Sequence, residues 1–190
     1  DNNVLSSYIY DEYDRCGGVM RSHHSDTDEK KHTNWSSENI NQDLNSGKYP
    51  EIVKLIDLIY PNAMKAFAEF SPKPELSLGL GSVWFNINKM GQHVAPHQHP
   101  GFVLAGVYYV KANEKSACLK FMHPDKAVSW AYDPITFPKR TPYTNPLYSK
   151  TPKAGKFILF PGNLQHYVDS NEDVEDRVSI AFNFSIRYPQ

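Results

Sequence analysis

Residues 177–186 alternate without a break. Val178, Ile180, Phe182, Phe184 and Ile186 fall on one side of an extended chain, and Arg177, Ser179, Ala181 and Asn183 on the other. A period of two belongs to a β-strand, so this segment needs a cover for its apolar face, while its polar face lines either a cavity or the solvent. The cover is legible upstream. Ile52, Val53, Leu55, Ile56 and Ile59 form a helical stripe that resumes over Ala63–Phe70. These residues predict helices over 49–70, opening at Pro50, where proline suits a first helical position, and broken or kinked at Pro61. On the polar face, the Arg177 guanidinium is a planar donor fork suited to a carboxylate, with the Ser179 hydroxyl as a further donor. A surface arginine on a one-sided sheet is the plainer alternative.

After Ser71-Pro-Lys-Pro74 the chain becomes a series of short β-type runs, Leu76–Ile87, Phe102–Val110, Ala117–Phe121 and Lys156–Phe160, separated by Gly, Pro and Asn. Helices followed by many short strands indicate an α+β, mainly β architecture, with an antiparallel sandwich or jelly roll towards the C-terminus. Residues 1–46 form a polar, poorly periodic segment packed on the core or extending from it. Residues 47–190 form the domain proper, with helices at 49–70, a barrel at 76–190 and a long irregular loop at 122–155. A loop of that length in a compact domain is usually functional.

Composition narrows the function. Twenty basic and 21 acidic residues give a net charge of −1, which speaks against a dedicated nucleic-acid binder. The apolar run Val103–Val110 is far short of the roughly 20 residues that span a bilayer, and no charged-then-apolar leader opens the chain, so no membrane association is expected. Cys16 and Cys118 form no CxxC pair and suit a reducing cytoplasm. The oligomeric state leaves no signature.

The chemistry concentrates in the histidines. His23, His24 and His32 fall in a polar stretch and read as solvated loop residues. His97-Gln-His99 is different. In an extended chain, residues two apart point the same way, so both imidazoles can serve one ion. Imidazole suits Fe(II), Zn(II), Ni(II) and Cu(II) alike, so the spacing alone selects no metal. His166 follows a Gly155-to-Gly162 strand and turn, and Arg177 lies eleven residues beyond it.

The ordered set Val83-Trp-Phe-Asn86-Ile, His97-Gln-His99-Pro100, Ala105-Gly-Val-Tyr-Tyr109-Val, Leu159-Phe160-Pro161, His166 and Arg177-Val-Ser179-Ile-Ala-Phe-Asn183 resembles the Fe(II)/2-oxoglutarate-dependent oxygenases. In particular it resembles a small group of them from bacteria and bacteriophages. The resemblance implies a double-stranded β-helix, a cupin-like jelly-roll core, holding iron at its open end with N-terminal supporting helices. It implies His97, His99 and His166 as metal ligands, and Arg177 and Ser179 on the far carboxylate of 2-oxoglutarate. Tyr109 would lie on the same carboxylate, Asn86 is a weaker candidate for that pocket, and Trp84 reads as core.

The superfamily usually has Asp where this chain has His99. Three arrangements stay open: His99 is the third ligand, which we favour; it stands behind a ligand; or an outer carboxylate or water completes the site. Asp169 and Asp125 lack the spacing for that. The implied cofactors are Fe(II), 2-oxoglutarate and O2. The implied reaction is O2-driven hydroxylation, or a related C–H oxidation, of a small-molecule or peptide substrate, with release of succinate and CO2. Lys126, Lys139, Arg140, Lys150 and Lys153 in the long loop suggest that this substrate is acidic. The expected location is the cytoplasm, or a host's if the gene is viral.

Two other classes compete. A three-His dioxygenase would need no 2-oxoglutarate, but gives no reason for Arg177 and Ser179. A non-catalytic jelly-roll binding module would instead use the loop aromatics Trp130, Tyr132, Tyr143 and Tyr148.

Overall fold

The computed structural model describes residues 1–18, 33–125, 135–139, 141 and 144–189. Among the described residues three helices and nine strands run in the order α1 (Asn2–Arg15), β1 (Trp35–Ser36), α2 (Asn41–Asn45), α3 (Pro50–Ala68), β2 (Ser77–Asn88), β3 (Val94–His97), β4 (Leu104–Lys111), β5 (Leu119–Met122), β6 (Leu147–Lys150), β7 (Phe157–Pro161), β8 (His166–Val168) and β9 (Arg177–Arg187). The strands form a five-stranded sheet, β1-β2-β9-β4-β7, and a four-stranded sheet, β3-β8-β5-β6. All their strand pairs are antiparallel. The two sheets are the halves of the expected double-stranded β-helix.

β9 is the axis of the large sheet, paired with β2 from Arg177 to Arg187 and with β4 on its other side. Its alternation has the predicted consequence. Val178, Ile180, Phe182 and Phe184 join Val83, Phe85 and Ile87 of β2 in one cluster with Ile52, Leu55, Ile56, Ile59, Ala63 and Phe67 of α3. Each such side chain contributes roughly 1.5–3 kcal/mol on burial. The inner face of the large sheet meets the small sheet in a second cluster, in which Ala105, Val107, Tyr109 and Phe160 pack with Leu119, Phe121 and Val168. β4 is therefore covered on both faces, which explains its nearly continuous apolar run.

Four expectations need correction. α3 passes through Pro61 unbroken. Pro61 and the residue four before it, Asp57, both face solvent, so water can satisfy the carbonyl that loses its partner. The segment 1–46 is not merely polar. α1 buries Leu5 and Ile9 in the main cluster, with Tyr8, Tyr10 and Tyr13 packed against it, an apolar stripe made largely of tyrosines. Glu12 also faces inward, ion-paired with Arg15 and accepting from the Tyr49 hydroxyl at 3.3 Å. The long loop contains a strand, β6, which pairs with β5 through Leu147↔Met122 and Tyr148↔Phe121. As an edge strand it leaves Tyr148 exposed, so no clean alternation marks it. Finally, Trp84 is half-buried and lines the cavity described below.

His23, His24, His32, Lys126, Trp130, Tyr132, Arg140 and Tyr143 lie outside the described residues. Cys16 and Cys118 are free thiols. Among the described residues no helix is long and apolar enough to cross a membrane.

Candidate active site

Register puts the polar residues of the two longest strands in one column. Ser82, Trp84, Asn86 and Asn88 of β2 stand opposite Asn183, Ala181, Ser179 and Arg177 of β9. On the other flank of β9, Tyr109 of β4 stands opposite Ser179. Directly opposed residues share a face of an antiparallel pair, so Arg177, Ser179, Tyr109 and Asn88 meet at one end of the column and Asn183, Ser82 and Trp84 at the other. The column forms one wall of a cavity of about 460 Å³, which the histidines border from the small sheet.

His97 ends β3 directly opposite His166, the first residue of β8. His99 follows on a turn held by its own N–H, which donates to Gly162 O at 2.8 Å. Gly162 has to be glycine. A Cβ there would lie 2.2 Å from Phe102 O and 3.2 Å from His99 O, so the residues that carry His99 lie directly against its backbone. One ring nitrogen from each of His97, His99 and His166 lies within 4.8 Å of the other two. The ring centroids are 4.2–5.1 Å apart.

Burial lowers the pKa of all three imidazoles, the main cause in each case. The mutual repulsion of the rings adds to it at His99 and His166, both depressed to about 4. They are therefore neutral at physiological pH, the form in which imidazole binds a metal. Nδ1 of His97 faces Ala95 O and Nδ1 of His166 faces Leu164 O, both at 2.8 Å, which leaves each Nε2 with its lone pair. These two nitrogens together with one from His99 would fit a first-row divalent ion and leave half an octahedron open. Among the described residues no carboxylate joins them. Asp169, one conceivable outer ligand, is paired with Lys120 at 2.8 Å.

At the other end Arg177 is 2% exposed. Nη1 donates to Asn88 Oδ1 at 3.2 Å and to Ser179 Oγ at 3.4 Å, and the guanidinium carbon lies 5.0 Å from the Tyr109 ring centroid. Burial lowers the Arg177 pKa, opposed by Tyr109, and burial raises that of Tyr109, opposed by Arg177. Arg177 Nε and Tyr109 Oη are both buried without a hydrogen-bond partner. Among the described residues the guanidinium has no carboxylate counter-ion.

Six of the seven site residues expected from the sequence line this cavity, and the seventh, Tyr109, stands behind Arg177. His97, His99 and His166 cluster at one end, and Arg177, Ser179 and Tyr109 at the other. Asn86 lines the cavity, but its Oδ1 is occupied by Ser36 Oγ at 2.6 Å and Asn34 Nδ2 at 3.0 Å. The asparagine that touches Arg177 is Asn88, two positions on. Sequence reasoning also missed Thr33, Asn34 and Ser36, which close the cavity from the N-terminal segment. Thr33 bridges to His93, and Asn34 N–H donates to His93 O at 3.0 Å. The only signal for them was their position around Trp35, which pairs with Ile87.

A family profile described as "Putative 2OG-Fe(II) oxygenase" matches residues 82–183, more than half of the chain. The chain belongs to the 2OG-Fe(II) oxygenase family, a class of oxidoreductases that work with Fe(II), 2-oxoglutarate and O2. Among solved structures, a Pseudomonas putida prolyl-4-hydroxylase is similar over 97% of this chain and 88% of its own, at 12% identity and a TM-score of 0.57. The epimerase SnoN, in complex with Fe3+, alpha ketoglutarate and nogalamycin RO, is similar over 100% of this chain and 78% of its own, at 14% identity and a TM-score of 0.56. An oxidoreductase of the 2OG-Fe(II) oxygenase family from Burkholderia pseudomallei aligns over 64% of this chain, at 13% identity and a TM-score of 0.47. The chain spans only about half the length of that and several other matched structures. At these identities the likeness establishes the fold. No curated protein matches the chain in sequence.

Proposed function

We propose that this chain is an Fe(II)- and 2-oxoglutarate-dependent oxygenase that hydroxylates, or otherwise oxidises at a C–H bond, a small-molecule or peptide substrate. His97, His99 and His166 would hold the metal, and Arg177, Ser179, Tyr109 and Asn88 the far carboxylate of 2-oxoglutarate. The observation that carries this reading is Arg177, a buried cation with no counter-ion among the described residues, at the end of the cavity opposite the histidines. An unpaired buried charge is expensive, and a dicarboxylate reaching from the metal to Arg177 would supply the missing partner.

When bound, Fe(II) with 2-oxoglutarate and O2 supplies the oxidising chemistry, one oxygen atom passing to the substrate and the other to succinate as CO2 leaves. The chain's own residues bind and orient. The three imidazoles stay neutral, leaving three metal positions for ligands. Arg177 and Ser179 hold the carboxylate that does not react, and Tyr109 Oη is free to donate to it. Phe160, Val107, Leu119 and Val168 exclude water from the metal end of the cavity.

The site also bears on the substrate. With His99 in place of the usual carboxylate, Fe(II) and Arg177 outweigh doubly charged 2-oxoglutarate by one positive charge. Among the described residues no Asp or Glu lines the cavity to offset it, which favours a substrate with a negative group near the metal. The same all-histidine ligand set favours, as second reading, a three-His dioxygenase that uses no 2-oxoglutarate; Arg177 would then have no task. We place the protein in the cytoplasm.

The test is an anaerobic titration of Fe(II)-loaded protein with 2-oxoglutarate, following the visible metal-to-cosubstrate charge-transfer band. A saturable band that is lost in His99→Ala and needs far more 2-oxoglutarate in Arg177→Ala supports the proposal. Stoichiometric Fe(II) binding through the three histidines with no band would shift the reading to the three-His dioxygenase. O2-coupled succinate formation then separates an enzyme from a binding module.

A further inference from the structure

The three imidazoles are not held alike. Nδ1 of His97 and of His166 each faces a backbone carbonyl two residues upstream, Ala95 O and Leu164 O. A carbonyl can only accept, so both rings carry their proton on Nδ1 and offer Nε2. Among the described residues no such carbonyl faces His99. Its Nδ1 faces the side-chain amide of Asn183 at 3.5 Å. Asn183 is 3% exposed. Its Nδ2 donates to Ser82 Oγ at 3.0 Å, and its Oδ1 is buried without a partner. With the amide nitrogen turned towards it, His99 Nδ1 is an acceptor and the proton sits on Nε2, which prevents Nε2 from ligating.

We propose that Asn183 is the positioning residue for His99. Turned by 180° about its terminal bond, the amide places Oδ1 where it accepts from both His99 Nδ1–H and Ser82 O–H, fixing the tautomer in which His99 Nε2 binds the metal. This rests on the reading that His97, His99 and His166 hold one ion. The two ends of an amide are nearly the same size, so the turn needs no extra space. It moves the unpartnered atom from the oxygen to the nitrogen, so the two orientations are closely balanced without metal, and ligation at Nε2 decides between them. Histidine ligands generally donate their second N–H to an acceptor that orients the ring. A carboxylate at position 99 would have no tautomer to fix, so an acceptor at 183 becomes necessary because residue 99 is a histidine.

The experiment uses Zn(II), which is diamagnetic, as the probe. Long-range proton–nitrogen NMR reads the tautomer of each ring in the Zn(II)-loaded wild type, and chelator competition reads Zn(II) affinity in the wild type, Asn183→Leu, Asn183→Asp and His99→Ala. His99 is expected to carry its proton on Nδ1, slow to exchange with water. Asn183→Leu should weaken Zn(II) binding about 10–100-fold and leave the His97 and His166 tautomers unchanged. Asn183→Asp, which keeps an acceptor, should restore the affinity. The proposal is overturned if His99 binds Zn(II) through Nδ1 in the wild type, a result that requires no variant to fold. It is also overturned if Asn183→Leu binds as tightly as wild type, or if Asn183→Asp is as weak as Asn183→Leu. Wild-type affinity in His99→Ala would instead sink the three-histidine reading on which the proposal stands.

Discussion

Arg177 reveals its purpose through the cost of keeping it. A guanidinium stays charged at any physiological pH, and here its described neighbours are two neutral oxygens and an aromatic ring. Even a buried ion pair is often replaced by apolar side chains of similar volume at no cost or with a gain of about 1–4 kcal/mol, and a charge without a counter-ion has less attraction to lose. Arg177→Met is therefore expected to raise the melting temperature of the ligand-free protein while abolishing stabilisation by 2-oxoglutarate. In the wild type that stabilisation should reach about 2.7 kcal/mol at a hundredfold excess over Kd. Melting curves of the metal-loaded proteins, with and without 2-oxoglutarate, check both signs. A destabilised variant that still responds to 2-oxoglutarate would mean that Arg177 is structural. Arg177 and Ser179 were legible because β9 alternates so cleanly that their face follows from the pattern. Asn88 was not. Trp84, Asn86 and Asn88 share one face of β2, and only the pairing Asn88↔Arg177 tells which of them meets the guanidinium.

At the level of elements, length governed what could be read. β2, β4 and β9 have 12, 8 and 11 residues, enough for a period to emerge. β3 and β8 have 4 and 3, too short to show a period, and were legible only through the candidate ligands they carry, His97 in an extended segment and His166 at the entry to a strand after a turn. α1 was missed because tyrosines and a paired Glu12 stand where aliphatic residues would have marked the stripe. The turn that carries His99 depends on Gly162. Gly162→Ala should push Phe102 and the His99 backbone away, costing on the order of 1–3 kcal/mol and most of the metal affinity, with β-sheet circular dichroism retained. Unchanged Zn(II) binding in that variant would show that the turn is not what sets His99. Pro61 makes the opposite case, a residue that α3 tolerates on its wet side. Pro61→Ala restores the missing backbone hydrogen bond and should stabilise by roughly 1–2 kcal/mol, less than the full helix-propensity difference because proline also restrains the unfolded chain. Denaturant unfolding midpoints measure it.

The whole molecule brings three imidazoles from two segments into one cluster, His166 buried and His97 and His99 half-buried, and that assembly makes its stability depend on pH. His99 and His166 fall from 6.5 in the unfolded chain to about 4 in the folded one. Between those values the unfolded state holds protons that the folded state does not, so stability drops as pH falls through that window and is unaffected by these groups above 6.5. His166 is 4% exposed, and its shift alone corresponds to on the order of 3 kcal/mol. Glu12 acts in a lower window. Its carboxylate is held below its ordinary 4.5 mainly by the hydrogen bond from Arg15, so its contribution persists until the pH falls beneath that value. A melting temperature that is flat from pH 8 to 7 and declines steadily from 6.5 to 4.5 is therefore the histidine signature. Metal binds only the neutral cluster, so Zn(II) should raise the melting temperature most above pH 6.5, with the increment shrinking as protons compete in the same window. His166→Leu should remove about half of the slope of the metal-free profile over that range, His99 keeping the rest because burial is the main cause of its shift, and should remove the Zn(II) increment. A variant that lost the increment but kept the whole slope would mean that His166 contributes nothing to the acid sensitivity, and would separate its metal role from the pH response of the fold.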